Sequence, residues 1–446
     1  MIVTDTHIGY QERDPIRGDD SFSTWEEVLH IAKSQQVDFI LHGGDLFHDN
    51  KPSRRTLYRT MEAIRKYCFG DQQVAIQVVS DQAQNFPNFK TVNYQDPNFN
   101  ISIPIFVIHG NHDDPSGDGQ YSALDLLSVC NFVNYFGKSS SIDDITVYPI
   151  LMTKGMSKLA LYGIGNIRDE RLFRTFQQKK VKLKRPVENR EEWFSMMVLH
   201  QNRVAHSPKN YIHEAFFESF LNFILWGHEH ECNIQPQMAS QANFYISQPG
   251  STVATSLSEF ESKPKHVGIL EIQAEKFRLT PIPLNTVRPY LIEDIVLASV
   301  QISNPTDNEE ITQALTEKVE EMIEKARIQQ KELGRPDLKP LIRLKVDYTG
   351  YSTISVPRFG QQFVGKVANP KDILLFHRRK NTKSGVRPGV ENPEAEEELF
   401  VRGVRPDPVD STKIEDLILS FLGPTGSGSV EILPEGEFTN ALHQFV

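Results

Sequence analysis

From residue 1 to about 275, short apolar runs rich in β-branched residues alternate with polar, glycine-containing turns, and most of these turns lead into a segment of helical character. That alternation is the pattern of a layered α/β domain. Strands are predicted at 2–4, 37–41, 105–108, 159–164, 196–199, 223–226, 244–247 and 267–272. A helix is predicted over 25–35, opened by Ser23 with Glu26 three residues later, the spacing at which each side chain caps the other's free amide. A second helix follows Pro52 and Ser53 and runs to about Arg65. Residues 70–104 break the pattern with a long polar stretch carrying Phe86, Phe89, Tyr94 and Phe99 and no helical period. A connection of that length is unusual in a compact domain. Its aromatics argue against disorder, so it is read as a partner-docking insertion.

Beyond about residue 287 the character changes. Ile311, Leu315, Val319, Met322 and Ala326 recur at spacings of four and three on a highly charged background, which predicts one amphipathic helix. Residues 341–348 alternate Ile342, Leu344, Val346 and Tyr348 with Arg343, Lys345 and Asp347, which predicts a half-buried strand. The expected division is therefore 1–286 for a layered α/β domain containing the 70–104 insertion, 287–405 for a smaller α+β domain, and 406–446 for a linker and tail. Within the tail, one short helix is predicted near 414–421, followed by a flexible Gly/Ser stretch at 423–429. The abrupt end at Val446 and the very short first strand suggest a shortened chain at both ends.

Composition narrows the class. With 446 residues, 39% hydrophobic and 24% charged, the chain has the make-up of an ordinary soluble protein. No apolar run approaches the roughly 18 residues that would span a bilayer. The N-terminus has neither the basic region nor the apolar stretch of a secretory signal, so an intracellular location is expected. Three cysteines, Cys68, Cys130 and Cys232, form no CxxC pair and suggest neither a disulfide framework nor a thiolate zinc site. The net charge of −10 is uneven, because five glutamates fall between Glu391 and Glu398. Two basic groups, Lys179 to Arg185 and His377 to Lys380, could meet phosphates or form solvated surface.

The candidate chemistry stands just after the strands. Asp5 and His7 follow the first, Asp45 the second, Asn111, His112 and Asp113 the third, His200 the strand 196–199, and His228 and His230 the strand 223–226. In layered α/β folds, ligands gather outside the carboxyl ends of strands, so these five loops should share one crevice. Carboxylate, imidazole and amide oxygen together suit Mn, Fe or Zn, whereas an all-oxygen set would suggest Mg or Ca. Two cations about 3.5–4 Å apart need a shared carboxylate, and Asp45 is the expected bridge. The glycines before Asp45 and before Asn111 would let backbone approach closely there. Alone, an Asp-x-His or a Gly-Asp is more often a turn, and a lone His200 more often a hydrogen-bonded core histidine. The ordered combination points to a metal site. His30, His206, His213, His266 and His443 join no such phrase and are read as surface or core.

The ordered phrases Asp-x-His, Gly-Asp, Gly-Asn-His-Asp, His and Gly-His-x-His resemble the calcineurin-like metallophosphoesterase superfamily. The longer phrases Gly9 to Arg17, Gly44 to Arg54, Asn93 to Asp96, Trp226 to Cys232, Tyr245 to Ser251 and Val367 to Ile373 resemble the eukaryotic meiotic recombination eleven nucleases of double-strand-break repair. The resemblance implies an α/β/β/α core with a smaller α+β DNA-capping domain. It implies two Mn(II) ions, one on Asp5, His7, Asp45 and His230, the other on Asp45, Asn111, His200 and His228. A metal-activated hydroxide would attack phosphorus in line, His112 would assist departure of the sugar oxygen, and His48 would steer the phosphodiester for exonuclease cutting. Both 3′–5′ exonuclease and single-strand endonuclease activity in the nucleus are implied. So are DNA, homodimerisation through helices near 53–65 and 123–132, a nibrin-type regulatory subunit on the 70–104 loop, and the Rad-fifty ATPase, whose binding segment is expected to lie beyond this chain.

Two other readings compete. A protein phosphatase on the same core would carry Gly-Asp-x-Val-Asp-Arg-Gly, but Leu46, Phe47 and His48 follow Asp45 and Asp113 follows His112. A DNA-tethering scaffold would hold a structural metal, yet such sites are closed, whereas a binuclear core beside a free His112 implies open positions.

Overall fold

The computed structural model describes residues 1–86, 89–139, 141–204, 209–240 and 242–378. The predicted short helix at 414–421, the acidic run, the linker, His206 and His443 lie outside the described residues. The described residues form part of one compact unit, Met1–Gly385.

Two mixed sheets carry the first half of the chain. The first runs Lys276–Pro283, His266–Gln273, Ile2–Val3, Ile40–His42, Ile105–Val107, Asn134–Tyr135, its last four strands mutually parallel. The second runs Asn233–Met238, Tyr245–Gln248, Phe223–Gly227, Phe194–His200, Ser157–Ile164, Ile150–Lys154, Gln77–Val78, with the four strands from Tyr245–Gln248 to Ser157–Ile164 parallel. Alternation of side chains along a strand lets each sheet bury both faces. Ile2, Leu41, Phe106 and Ile108 of the first sheet meet Leu161, Met196, Val198 and Leu225 of the second in one inter-sheet core. The opposite face of the first sheet packs under the helices Asp20–Ser34, Arg54–Cys68 and Ala123–Val129, with Val3, Ile40 and Val107 against Trp25, Val28, Ile64 and Leu124. The opposite face of the second, through Tyr162, Leu199 and Trp226, packs on Leu172 and Phe173 of the helix Asp169–Gln177. The layers are α/β/β/α, as expected.

The first helix corrects the sequence reading. It begins at Asp20, not near Trp25, and no side chain caps it, so Ser23 is interior and forms no box with Glu26. Tertiary contacts extend it: Phe22 is buried on the same face as Trp25, and Asp20 is held by the Arg288 guanidinium far along the chain. The second helix does open on Ser53, whose hydroxyl accepts the Thr56 amide at 3.1 Å, but it continues to Cys68. The 70–104 insertion is less open than it reads. Phe86 and Val92 enter the inter-sheet core, Gln77–Val78 adds an edge strand, and Phe89 and Phe99 remain exposed.

A third, parallel sheet, Tyr290–Val296, Leu341–Asp347, Leu374–His377, packs on the helix Asn308–Glu332. That helix buries Ile311, Leu315, Val319, Met322 and Ala326, the stripe the spacing marked. The strand predicted as half-buried is covered on both sides: Lys345 and Asp347 are buried alongside Ile342, Leu344 and Val346. It is the central strand, and its second face meets Ala254 and Tyr290 through Leu341 and carries Lys345 to Glu259. Of the basic groups, Lys182 and Arg185 are spent in ion pairs with Asp144 and Glu191, and Val181–Leu183 is a short strand. Among the described residues, no helix is long and apolar enough to cross a membrane.

Candidate metal centre

The parallel strands of both sheets end at a common crevice, and five loops deliver side chains into it. The backbone there is unusual: Asp5, His7, Asp45 and His228 have φ of 51°, 43°, 54° and 86°. Left-handed non-glycine residues cost about 1–3 kcal/mol each and persist only where the surroundings hold them. Here the Asp5 amide donates to the Gly44 carbonyl at 3.0 Å, the His7 amide to the Asp45 carbonyl at 3.1 Å, and the His228 amide to Asp5 Oδ2 at 3.1 Å. The strain thus turns neighbouring side chains toward one point. Two glycines make this possible. A Cβ on Gly110 would lie 2.0 Å from Asp45 Oδ1, and one on Gly44 2.5 Å from His200 Nδ1.

Asp5 Oδ1 is buried and finds no hydrogen-bond donor among the described residues. The Nε2 atoms of His230, His200 and His7 surround it at 3.7, 3.8 and 3.9 Å. Asp45 Oδ2 stands 3.4 Å from His200 Nε2 and 3.7 Å from His7 Nε2, and so faces both sides of the cluster. Asn111 Oδ1 lies 3.2 Å from His200 Nε2 and 2.9 Å from His228 Nδ1. His7 and His230 bring their Nε2 atoms to 3.0 Å. His112 and His48 stack beside His7, with ring centroids 4.9 Å apart. The seven expected ligands, with His112 and His48, therefore come together.

The supporting residues were mostly not singled out. Glu261, 3% exposed, takes the Nδ1 side of His230 at 2.9 Å. Asp113 accepts the amides of Leu46, Phe47 and Gly110, pinning the Asp45 loop to the Asn111 loop. His200 donates from Nδ1 to the Gly43 carbonyl at 2.9 Å. Below them His42 donates from Nε2 to Thr6 Oγ1, whose proton goes to the Leu46 carbonyl. Asp113 already stood in the Gly-Asn-His-Asp phrase, and a histidine at a strand end was the only sequence signal for His42. Glu261 comes from a turn and stands 31 residues after its partner, and spacing gives no hint of it.

Burial dominates the electrostatics. It drives His7 well below the usual imidazole range and His228 to about 3, so both remain neutral, metal-binding bases. Burial also raises the Asp5 carboxyl. For Asp45 burial works the same way, but the charge and hydrogen bond of His200 reverse it and hold the carboxyl well below its ordinary range. Burial opposes charge on His200 too, yet the Asp45 and Asp5 carboxylates push it up to about 10. A proton on His200 is thus the cluster's answer to two buried carboxylates. A divalent cation would satisfy the orphaned Asp5 oxygen and the converging nitrogens better. The mixed oxygen and imidazole donor set fits such an ion.

Residues 1–232 match the family described as calcineurin-like phosphoesterase, whose fold implies divalent metal binding, and residues 277–445 match the Mre11 DNA-binding presumed domain. The chain is 50% identical over 457 residues to the double-strand break repair protein MRE11 of Arabidopsis thaliana, 49% over 458 to that of Oryza sativa subsp. indica, and 47% over 459 to that of Homo sapiens. Each alignment takes in all of this chain and 61%, 63% and 63% of the relative. The chain thus spans about three-fifths of the length of these relatives. With its layered core and the acidic, amide and imidazole side chains converging at its strand ends, the chain belongs to the calcineurin-like phosphoesterase family.

Proposed function

We propose that this chain is a Mn(II)-dependent DNA nuclease, acting as a 3′–5′ exonuclease on duplex ends and an endonuclease on single strands during double-strand-break repair in the nucleus. Asp5, His7, Asp45 and His230 would hold one ion, and Asp45, Asn111, His200 and His228 the other. The observation that carries the reading is the unpartnered Asp5 Oδ1 ringed by three imidazole nitrogens, with Asp45 Oδ2 facing two of the same nitrogens. A bound pair of divalent cations supplies Lewis-acid polarisation of the phosphate and a water acidic enough to be a nucleophile near neutral pH.

The protein's own groups do the rest. The Asp45 carboxylate accepts the His112 amide at 2.8 Å, fixing that residue beside the ligands. His112 Nδ1 lies 2.6 Å from the His48 carbonyl, which can only accept, so Nδ1 carries the proton and Nε2 is left to exchange one with the departing sugar oxygen. His48, half-buried and stacked on His112, is placed to orient the phosphodiester beside it. The match to a DNA-binding presumed domain and the named relatives support DNA as substrate. Exposed Tyr58, Leu126 and Val129 on the helices Arg54–Cys68 and Ala123–Val129 support homodimerisation through that face. Exposed Phe89 and Phe99 leave the insertion a surface for a nibrin-type subunit, and a Rad-fifty-type ATPase would complete the assembly.

The test is cleavage of single-stranded circles and blunt duplexes with Mn(II), wild type beside His112→Asn. Wild type should cut both, while the variant should bind metal normally and lose at least about 100-fold in rate. Equal rates would remove His112 from the chemistry. Metal binding with no cleavage by either protein would favour a DNA-tethering scaffold.

A further inference from the structure

Behind His230 lies a closed polar cluster for which the ligand geometry alone gives no reason. Glu261 Oε1 accepts from His230 Nδ1 at 2.9 Å and from the Thr255 amide and hydroxyl at 3.1 and 2.9 Å. Its Oε2 accepts from the Ser251 hydroxyl at 2.9 Å and from the Lys265 ammonium. Glu261 and Lys265 are each only 3% exposed. Burying an ion pair is costly and seldom a gain in stability by itself, so a fully satisfied buried pair against a single imidazole calls for a purpose. The turn that carries it, Glu259–Ser262, is anchored from outside: Glu259, two residues before Glu261, pairs with Lys345 on the central strand of the third sheet at 3.3 Å.

We propose that Glu261 is a positioning residue that fixes His230 in the Nδ1-protonated tautomer and aims Nε2 at the cation held with Asp5 and His7. A histidine ligand whose far nitrogen donates to a carboxylate is locked in ring orientation and becomes a stronger base. Lys265 pairs with Glu261 and holds it in place, and Ser251 and Thr255 fill its remaining acceptor sites, the Thr255 hydroxyl also lying 2.9 Å from His230 Nδ1. The proposal rests on the metal assignment made above, but its first consequence, the tautomer, exists without metal.

Two measurements on the whole chain test it, each on wild type, Glu261→Gln and the charge-balanced Glu261→Gln/Lys265→Met, the last guarding against a fold lost to an unpaired lysine. In metal-free protein labelled with 15N-histidine, the His230 Nδ1–H signal, identified by its loss in His230→Gln, should be present in wild type and lost or shifted to the other tautomer in both variants. In Mn(II) titration by calorimetry, one of two binding steps should weaken about 10- to 100-fold while the other is kept. An unchanged His230 tautomer overturns the proposal, as does unchanged affinity at both sites. If wild type binds no Mn(II), the metal assignment fails, and the tautomer measurement still decides the role of Glu261.

Discussion

Gly110 shows how little of a site need be functional groups. It has no side chain, yet any β-carbon there would fall 2.0 Å from Asp45 Oδ1 and 2.6 Å from the Asp45 amide nitrogen. Gly110→Ala should therefore cost metal affinity at both sites through displacement of the shared carboxylate. Two equivalents of Mn(II) bound at wild-type affinity by the variant would contradict this. Buried histidines outside the ligand set make a second prediction. Burial lowers His109 to about 4; Tyr135 OH donates to its Nδ1, and Nε2 faces the Asn166 carbonyl. The unfolded chain protonates this ring below about pH 6.5, whereas the folded one does not. Stability contributed by the neutral ring is thus complete above pH 6.5 and is lost as pH falls toward 4. The loss should reach roughly 2 kcal/mol by pH 5. Urea midpoints of metal-free protein at pH 7 and 5 should converge in His109→Gln relative to wild type, and an identical pH loss in both would count against it.

At the scale of elements, legibility followed locality. The stripe Ile311, Leu315, Val319, Met322, Ala326 could be read because a helix expresses its burial in its own spacing. The strand ends that carry Asp5, Asp45, His200 and His228 could be read because apolar runs stop where ligands begin. What stayed hidden was set by partners distant in sequence. The first helix starts at Asp20, where Arg288 meets it, and the buried Lys345 pairs with Glu259 from a turn outside its sheet. Glu261 was invisible for the same reason. Arg288, mostly buried, also donates to the Ile16 and Lys339 carbonyls and so ties the first helix to the segment leading into the third sheet. Arg288→Ala should destabilise by about 3 kcal/mol, since it strands Asp20 and two carbonyls. A denaturation midpoint within error of wild type would show that this clasp is dispensable.

At the scale of the molecule, the proposed ligand set is divided between the two sheets. Asp5, His7, Asp45 and Asn111 follow strands of the first, and His200, His228 and His230 follow strands of the second. Neither sheet holds a complete set. Any ion bound there is therefore a cross-link between the halves of the sandwich, and it binds the unfolded chain poorly. Mass action then ties stability to metal concentration: at one hundred times the dissociation constant each site adds about 2.7 kcal/mol. Mn(II) should raise the melting temperature by several degrees per site, with His112→Asn shifting like wild type and Asp45→Ala hardly at all. A shift equal in all three would place the binding elsewhere. Thermal unfolding thus becomes a binding isotherm, one that reports occupancy in proteins that cannot cut anything. Where such ions are scarce, the two sheets keep their shared apolar core and forgo only this added stability.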